Sequence, residues 1–209
     1  MSTNRVMIPC RNLLLEAVIT ETGGSDVAVV CHPHPLYGGD MDNNVVVALD
    51  ACLVKAGWST VRFNFRGVGS STGTYGEGAA EADDLAAAIS YVEKRGARRV
   101  HLVGYSFGAW VVLAGLKRGL PAASTILASP PLDFMDFQPL ELSGGPTLII
   151  LGDCDSFCAV QSLHRWLEGQ PSLAIPPRLA IVPGCDHFYW GFEDQLQQQV
   201  SAFVRDLSA

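Results

Sequence analysis

The residues best arranged for chemistry are Gly104-Tyr105-Ser106-Phe107-Gly108, a G-x-S-x-G pentapeptide with the apolar run VHLVG leading into it and the helical run AWVVLAGL following. A strand that turns this sharply into a helix bends at the serine. The bend leaves room only for glycine at the two flanking positions and pushes Oγ out at the sheet edge. The start of the helix then offers unpaired N–H groups and a positive dipole end to a developing anion. A serine hydroxyl is a weak nucleophile near neutral pH, so the chemistry also needs a base within hydrogen-bond reach and a third group that orients the base.

Of the five histidines, His187 is the candidate base, because it lies in VPGCDHF just after the last apolar run, RLAIV. His101 opens the strand that ends at Gly104, and a rise of about 3.3 Å per residue puts it well below the nucleophile. His164 falls in a partly polar helical stretch and reads as a surface or packing residue. For the orienting acid, Asp153 and Asp155 follow TLIIL and Asp133 follows TILASPP, and each keeps the chain order Ser, acid, His. Asp155 is favoured, because the extra residues past the strand let its side chain turn back, whereas Asp153 suits capping its own turn. An oxyanion hole needs backbone N–H donors. One is expected from Phe107, the other from the HPHPLYGG loop, where Pro33 and Pro35 cannot donate and His34 is favoured over Leu36.

Rival chemistries use other residues. His32 and His34, with Asp40 and Asp42 nearby, could hold a metal for hydrolysis but show no further ligand pattern and leave the serine motif unused. Cys154, Cys158, Cys185 and His187 match no common zinc spacing. Gly67-Val68-Gly69-Ser70-Ser71-Thr72-Gly73 lacks the spacing and the lysine of a phosphate loop, and reads as a turn. A ligand-binding protein that kept the fold and lost turnover is a further alternative. The favoured reading calls for no cofactor and no metal.

These loops must be carried by elements that end together. Val27–Cys31, Ser59–Phe65, Val100–Gly104, Thr125–Ser129, Thr147–Leu151 and Arg178–Val182 read as strands, mostly apolar throughout, as strands covered on both faces should be. Helical spacing marks Asn43–Ala56, Glu81–Arg95, Ser106–Leu116, Val160–Glu168 and Glu193–Leu207. Arg5–Pro9 and Asn12–Thr20 lie too close for a crossover and read as an antiparallel hairpin. The alternation predicts one α/β domain over residues 1–209, with about eight strands, a mostly parallel sheet and helices on both faces. Ligands of such sheets bind beyond the carboxyl ends of the strands, where the Gly- and Pro-rich loops cluster.

Composition narrows the function classes. The chain has 209 residues, 48% of them hydrophobic, and 14 basic against 21 acidic residues give a net charge of −7. Such a surface repels nucleic acid. The longest apolar runs, about eight residues, fall far short of a membrane span. Arg5, Arg11, Asn12 and Glu16 interrupt any apolar signal segment, so a cytoplasmic location is expected. The six cysteines read as free thiols. Lys94, Arg95, Arg98 and Arg99 precede the strand that ends at Gly104, and so belong to the edge opposite the nucleophile.

At these motifs the chain resembles the α/β-hydrolase superfamily. More narrowly, it is similar to small bacterial members whose first loop reads HPHPLYGG followed by Met41-Asp42-Asn43, with FNFRGVGSSTG after the fourth strand. The resemblance covers nearly the whole chain. It implies an eight-stranded sheet with one antiparallel strand near the start, a Ser106, Asp155, His187 triad and hydrolase activity. Asn64 stands where many members carry aspartate, and His32-Pro33 replaces the more usual His-Gly.

Only residues 130–146 separate TILAS from TLIIL, too few for a lid domain. Within them Pro130, Pro131, Leu132, Phe134, Met135, Phe137 and Leu140 read as an apolar rim, joined by Tyr37, Phe188 and Trp190. Tyr37, Phe134, Phe137, Phe188 and Trp190 are the candidate substrate contacts, for a small-molecule acyl ester or thioester.

Overall fold

The computed structural model describes residues 1–138, 140–142, 145–171 and 173–207. Eight strands form one sheet: β1 (Ser2–Cys10), β2 (Leu13–Glu21), β3 (Asp26–Cys31), β4 (Ser59–Phe63), β5 (Arg99–Tyr105), β6 (Ser124–Ala128), β7 (Thr147–Gly152) and β8 (Arg178–Val182). Their spatial order is β1-β2-β4-β3-β5-β6-β7-β8. Strand β2 runs antiparallel to both of its neighbours, and every other pairing is parallel. The hairpin is longer than its sequence pattern suggested. Pairing runs from Ser2↔Glu21 to Cys10↔Leu13, around a tight turn with Arg11 at φ 53°.

Helices α1 (Asn44–Lys55), α2 (Glu81–Lys94), α3 (Phe107–Lys117), α4 (Val160–Glu168) and α5 (Glu193–Leu207) cover the two faces. The pleat sorts the strand side chains between two cores. Val29, Leu102, Leu127 and Ile149 join the core under α2, α3 and α4, while Val30, Val103, Ile126 and Ile150 join the one under α1 and α5. Burial on both sides explains the unbroken apolar runs. Strand β4 stops at Phe63, two residues before its apolar pattern does. Beyond it the Phe65 N–H donates to His32 Nε2 at 3.0 Å, so a side chain replaces the ladder. Residues 129–146 form neither helix nor strand among those described, and no lid domain covers the sheet.

The start of helix α3 packs so closely on β3 and β5 that Gly104 and Gly108 are obligatory. A Cβ on Gly108 would sit 2.3 Å from the Cys31 carbonyl oxygen, and one on Gly104 would sit 2.4 Å from the Gly108 carbonyl oxygen. Gly108→Ala should therefore lower unfolding free energy by about 1–3 kcal/mol, seen as a reduced urea midpoint. A midpoint equal to that of the parent protein would show that α3 does not approach β3 this closely.

Candidate active site

Strand β5 delivers its last side chains to the carboxyl edge of the sheet, where Ser106 takes φ 54° and ψ −120°. A non-glycine residue at positive φ is strained, and its N–H is tied to Ala128 O at 2.9 Å. Ser106 occupies the N-cap position of α3, yet its side chain caps nothing there. A serine in that place ordinarily bonds the first turn of its own helix. Here Oγ lies 2.9 Å from His187 Nε2 instead.

The imidazole continues the chain, with Nδ1 at 2.8 Å and 3.0 Å from the two carboxylate oxygens of Asp155. A nitrogen facing a carboxylate carries the proton, so Nδ1–H donates to Asp155 and Nε2 is the acceptor for the Ser106 hydroxyl. All three groups are buried, at 8%, 5% and 6% exposure for Ser106, His187 and Asp155. Asp155 Oδ1 also accepts the N–H groups of Phe157 and Cys158, at 2.8 Å and 3.2 Å, which fixes the carboxylate plane. The Tyr105 hydroxyl donates to the His187 carbonyl at 2.9 Å, and the Phe157 ring lies 4.5 Å from the imidazole.

The competing carboxylates hold the loops. Asp153 accepts the Gly184 N–H at 2.7 Å, joining the loop after β7 to the one after β8. Its role is thus a clamp between loops, not a cap on its own turn. Asp133 accepts the Ala159 N–H at 2.7 Å and bears on the turn that contains Asp155. Bonds from Ser162 and Ala159 hold its carboxyl below the ordinary range.

On the other side of Ser106, His34 and Phe107 line the same cavity. Neither backbone N–H has a hydrogen-bond acceptor among the described residues, so both can face a developing oxyanion. Leu36 cannot serve as the alternative donor, because its N–H is bound to His34 Nδ1 at 3.2 Å. Pro33 and Pro35 flank His34 and stiffen its backbone.

The cavity beside Ser106 measures about 350 Å³ and is lined by Tyr37, Phe134, Phe188, Pro131, Met135, Phe157, Asn43 and the residues above. Tyr37 meets Phe134 edge-on at 5.8 Å, so side chains from two loops touch above the site. Two of the expected contacts lie elsewhere. Phe137 is a core residue, 3% exposed and packed edge-on against Trp166, because its loop folds back over α4. Trp190 is 70% exposed and outside the cavity lining, carried away from it just past the positive-φ residue Tyr189. Leu140 is likewise buried, and Pro130 and Leu132 are not in the lining. Phe157, Tyr105 and Asn43 also line the cavity, and the sequence does not mark them: a ring two residues past an aspartate and an N-cap asparagine carry no periodic signal.

The residues of the rival metal sites are engaged or dispersed. His32 is fully buried, with Nδ1–H donating to Pro33 O at 2.6 Å and Nε2 accepting from Phe65. Asp42 pairs with Arg62 and Arg5, and Asp40 accepts the Asp42 N–H. Cys158 and Cys185 sit in the two different cores, and Cys154 is exposed.

Burial pushes the His32 imidazole down to about 3. An unfolded histidine titrates near 6.5. Below that pH the unfolded chain takes up a proton that the fold refuses, so this stabilisation is complete above about pH 6.5 and lost as pH falls toward 3, at up to ~1.4 kcal/mol per pH unit. The urea midpoint should drop between pH 7 and pH 5, and His32→Asn should flatten that slope. An identical slope in the variant would show that His32 does not carry the effect.

Known proteins share the fold of this chain. The model of the alpha/beta hydrolase family matches residues 28–149. An uncharacterized protein of Rickettsia prowazekii, RP471, is 36% identical over 186 residues, covering 85% of this chain and 78% of that protein. An alpha-beta serine hydrolase homologue from Coxiella burnetii superposes with a TM-score of 0.89 at 33% identity, over 97% of this chain and 98% of the other. XC6422 from Xanthomonas campestris, a serine hydrolase without a lid, gives a TM-score of 0.89 at 30% identity over 98% and 94% of the two chains. With this sheet, this turn at Ser106 and these matches, the chain belongs to the alpha/beta hydrolase family, resembles members that have no lid, and is a hydrolase.

Proposed function

We propose that the protein is a serine hydrolase that cleaves small to medium acyl esters or thioesters through an acyl-enzyme on Ser106. The observation that carries this reading is the unbroken run of hydrogen bonds from Ser106 Oγ through both nitrogens of His187 to Asp155. His187 Nε2 takes the Oγ proton as the oxygen attacks the acyl carbon, and Asp155 stabilises the imidazolium that forms. The carbonyl oxygen becomes an oxyanion facing the N–H groups of His34 and Phe107. Each such donor is worth about 2.7–4 kcal/mol of transition-state stabilisation. As the tetrahedral adduct collapses, Nε2–H protonates the departing alkoxide or thiolate. Water then repeats the sequence on the acyl-enzyme, with His187 first as base and then as acid.

The cavity suits an uncharged, compact acyl group. Six of its described lining residues are phenylalanine or tyrosine and none is lysine or arginine, and the edge-on contact between Tyr37 and Phe134 would stand in the way of a long acyl chain.

A fluorophosphonate probe should label Ser106, and Ser106→Ala should abolish both labelling and ester turnover. Labelling elsewhere, or turnover in the variant, would reject the mechanism. A chelator should leave activity intact, and loss of activity would instead favour the metal reading at His32 and His34. Asp155→Asn should lower kcat by about 10⁴-fold, while Asp153→Asn retains an acceptor oxygen for Gly184 and should stay near parental activity. The reverse outcome would reassign the acid. In a p-nitrophenyl ester series, acetate and butyrate should outpace palmitate, and a rate that climbs steadily to palmitate would contradict the compact acyl site.

A further inference from the structure

We propose that Tyr75 is a positioning residue for the oxyanion donor at His34, held in place by the buried carboxylate of Glu81. The inference rests on the serine-hydrolase reading above. It gives a role to the glycine-rich segment after β4 that the chemistry so far leaves unused.

The His34 N–H lies in the peptide plane shared with Pro33, so its direction follows the Pro33 ψ and the His34 φ, the latter at −61° in a segment that prolines stiffen on both sides. Both nitrogens of the His34 ring are anchored: Nδ1 accepts the Leu36 N–H at 3.2 Å, and Nε2 lies 3.2 Å from the Tyr75 hydroxyl. With Nδ1 acting as acceptor, the neutral ring carries its proton on Nε2, so Nε2–H donates to Tyr75. Partial burial favours this neutral form. The ring also packs against Phe107, with centroids 4.8 Å apart, so the side chain of one proposed donor residue braces the other.

Tyr75 is itself fixed from below. Glu81 is fully buried at the start of α2, and its two carboxylate oxygens accept the N–H groups of Gly76 and Gly78, each at 2.7 Å. Gly78 has φ +86°, and a Cβ there would lie 2.4 Å from the Trp110 ring. The segment after Tyr75 is thus built to one conformation. Tyr75 is absent from the cavity lining: its ring packs 5.9 Å from that of Phe107, while its hydroxyl reaches His34, so removing the hydroxyl alone tests the His34 contact.

Tyr75→Phe removes one oxygen and keeps the ring. With p-nitrophenyl butyrate, kcat should fall by about three- to tenfold, the worth of one net hydrogen bond, with KM essentially unchanged and Tm lower by no more than about 2–4 °C. Affinity for a trifluoromethyl ketone, whose adduct places an oxyanion at the same donors, should fall by the same factor. In a His34→Gln background, Tyr75→Phe should have no further effect. An unchanged kcat, a loss confined to KM, or an equal loss in both backgrounds would overturn the proposal. Any of these results, alongside an inactive Ser106→Ala protein, would leave the serine-hydrolase reading standing. An active Ser106→Ala protein would remove both.

Discussion

Ser106 holds a backbone conformation that costs of order 1–3 kcal/mol for a non-glycine residue, and the surrounding structure imposes it from several directions. Its N–H is bound to the end of β6, and close backbone contacts exclude side chains at Gly104 and Gly108. The result is a hydroxyl that cannot cap its own helix and is directed at an imidazole. Relaxing that turn would let Oγ bond the first turn of α3, and the bond to His187 would be lost.

The other strand ends serve to bring partners to this fixed point. The loops after β7 and β8 are joined by Cys154 N–H to Cys185 O at 3.0 Å and by the Asp153 clamp on Gly184. Asp155 and His187 therefore move as one unit, and Tyr105, next to the nucleophile, binds that unit through the His187 carbonyl. The loop after β3 closes the opposite side. Its first histidine, His32, is spent on structure: Nε2 ties the end of β3 to the chain beyond β4 at Phe65, and Nδ1–H binds the carbonyl of the next residue, Pro33. Two histidines separated by one residue thus have different duties because one points into the sheet and the other along the loop.

What was legible in the sequence follows from which signals are local. The strands, the helices and the serine turn were readable because burial on both faces writes continuous apolar runs and because only glycine fits beside a bent backbone. Asp155 could be preferred over Asp153 by counting residues past the strand. The rim was harder to read. Phe134 and Phe137 lie in one irregular segment with no period, and whether each ring faces the cavity or α4 is decided by tertiary packing. Phe188 and Trp190 look equivalent in the sequence, yet positive φ at Tyr189 between them changes the direction of the chain. Nor does any pattern within the segment 75–81 announce that its tyrosine reaches a histidine about forty residues earlier.

The account turns on Ser106 oxygen carrying the acyl group during turnover. Mixing the protein with excess p-nitrophenyl acetate, quenching in acid within the first turnover and mapping the peptides by mass tests this directly. The predicted result is a burst of p-nitrophenol close to one equivalent, with a single acetyl group on the peptide containing Ser106. Turnover without a burst and without acetyl on that peptide, under conditions where acyl transfer is faster than hydrolysis, would contradict it.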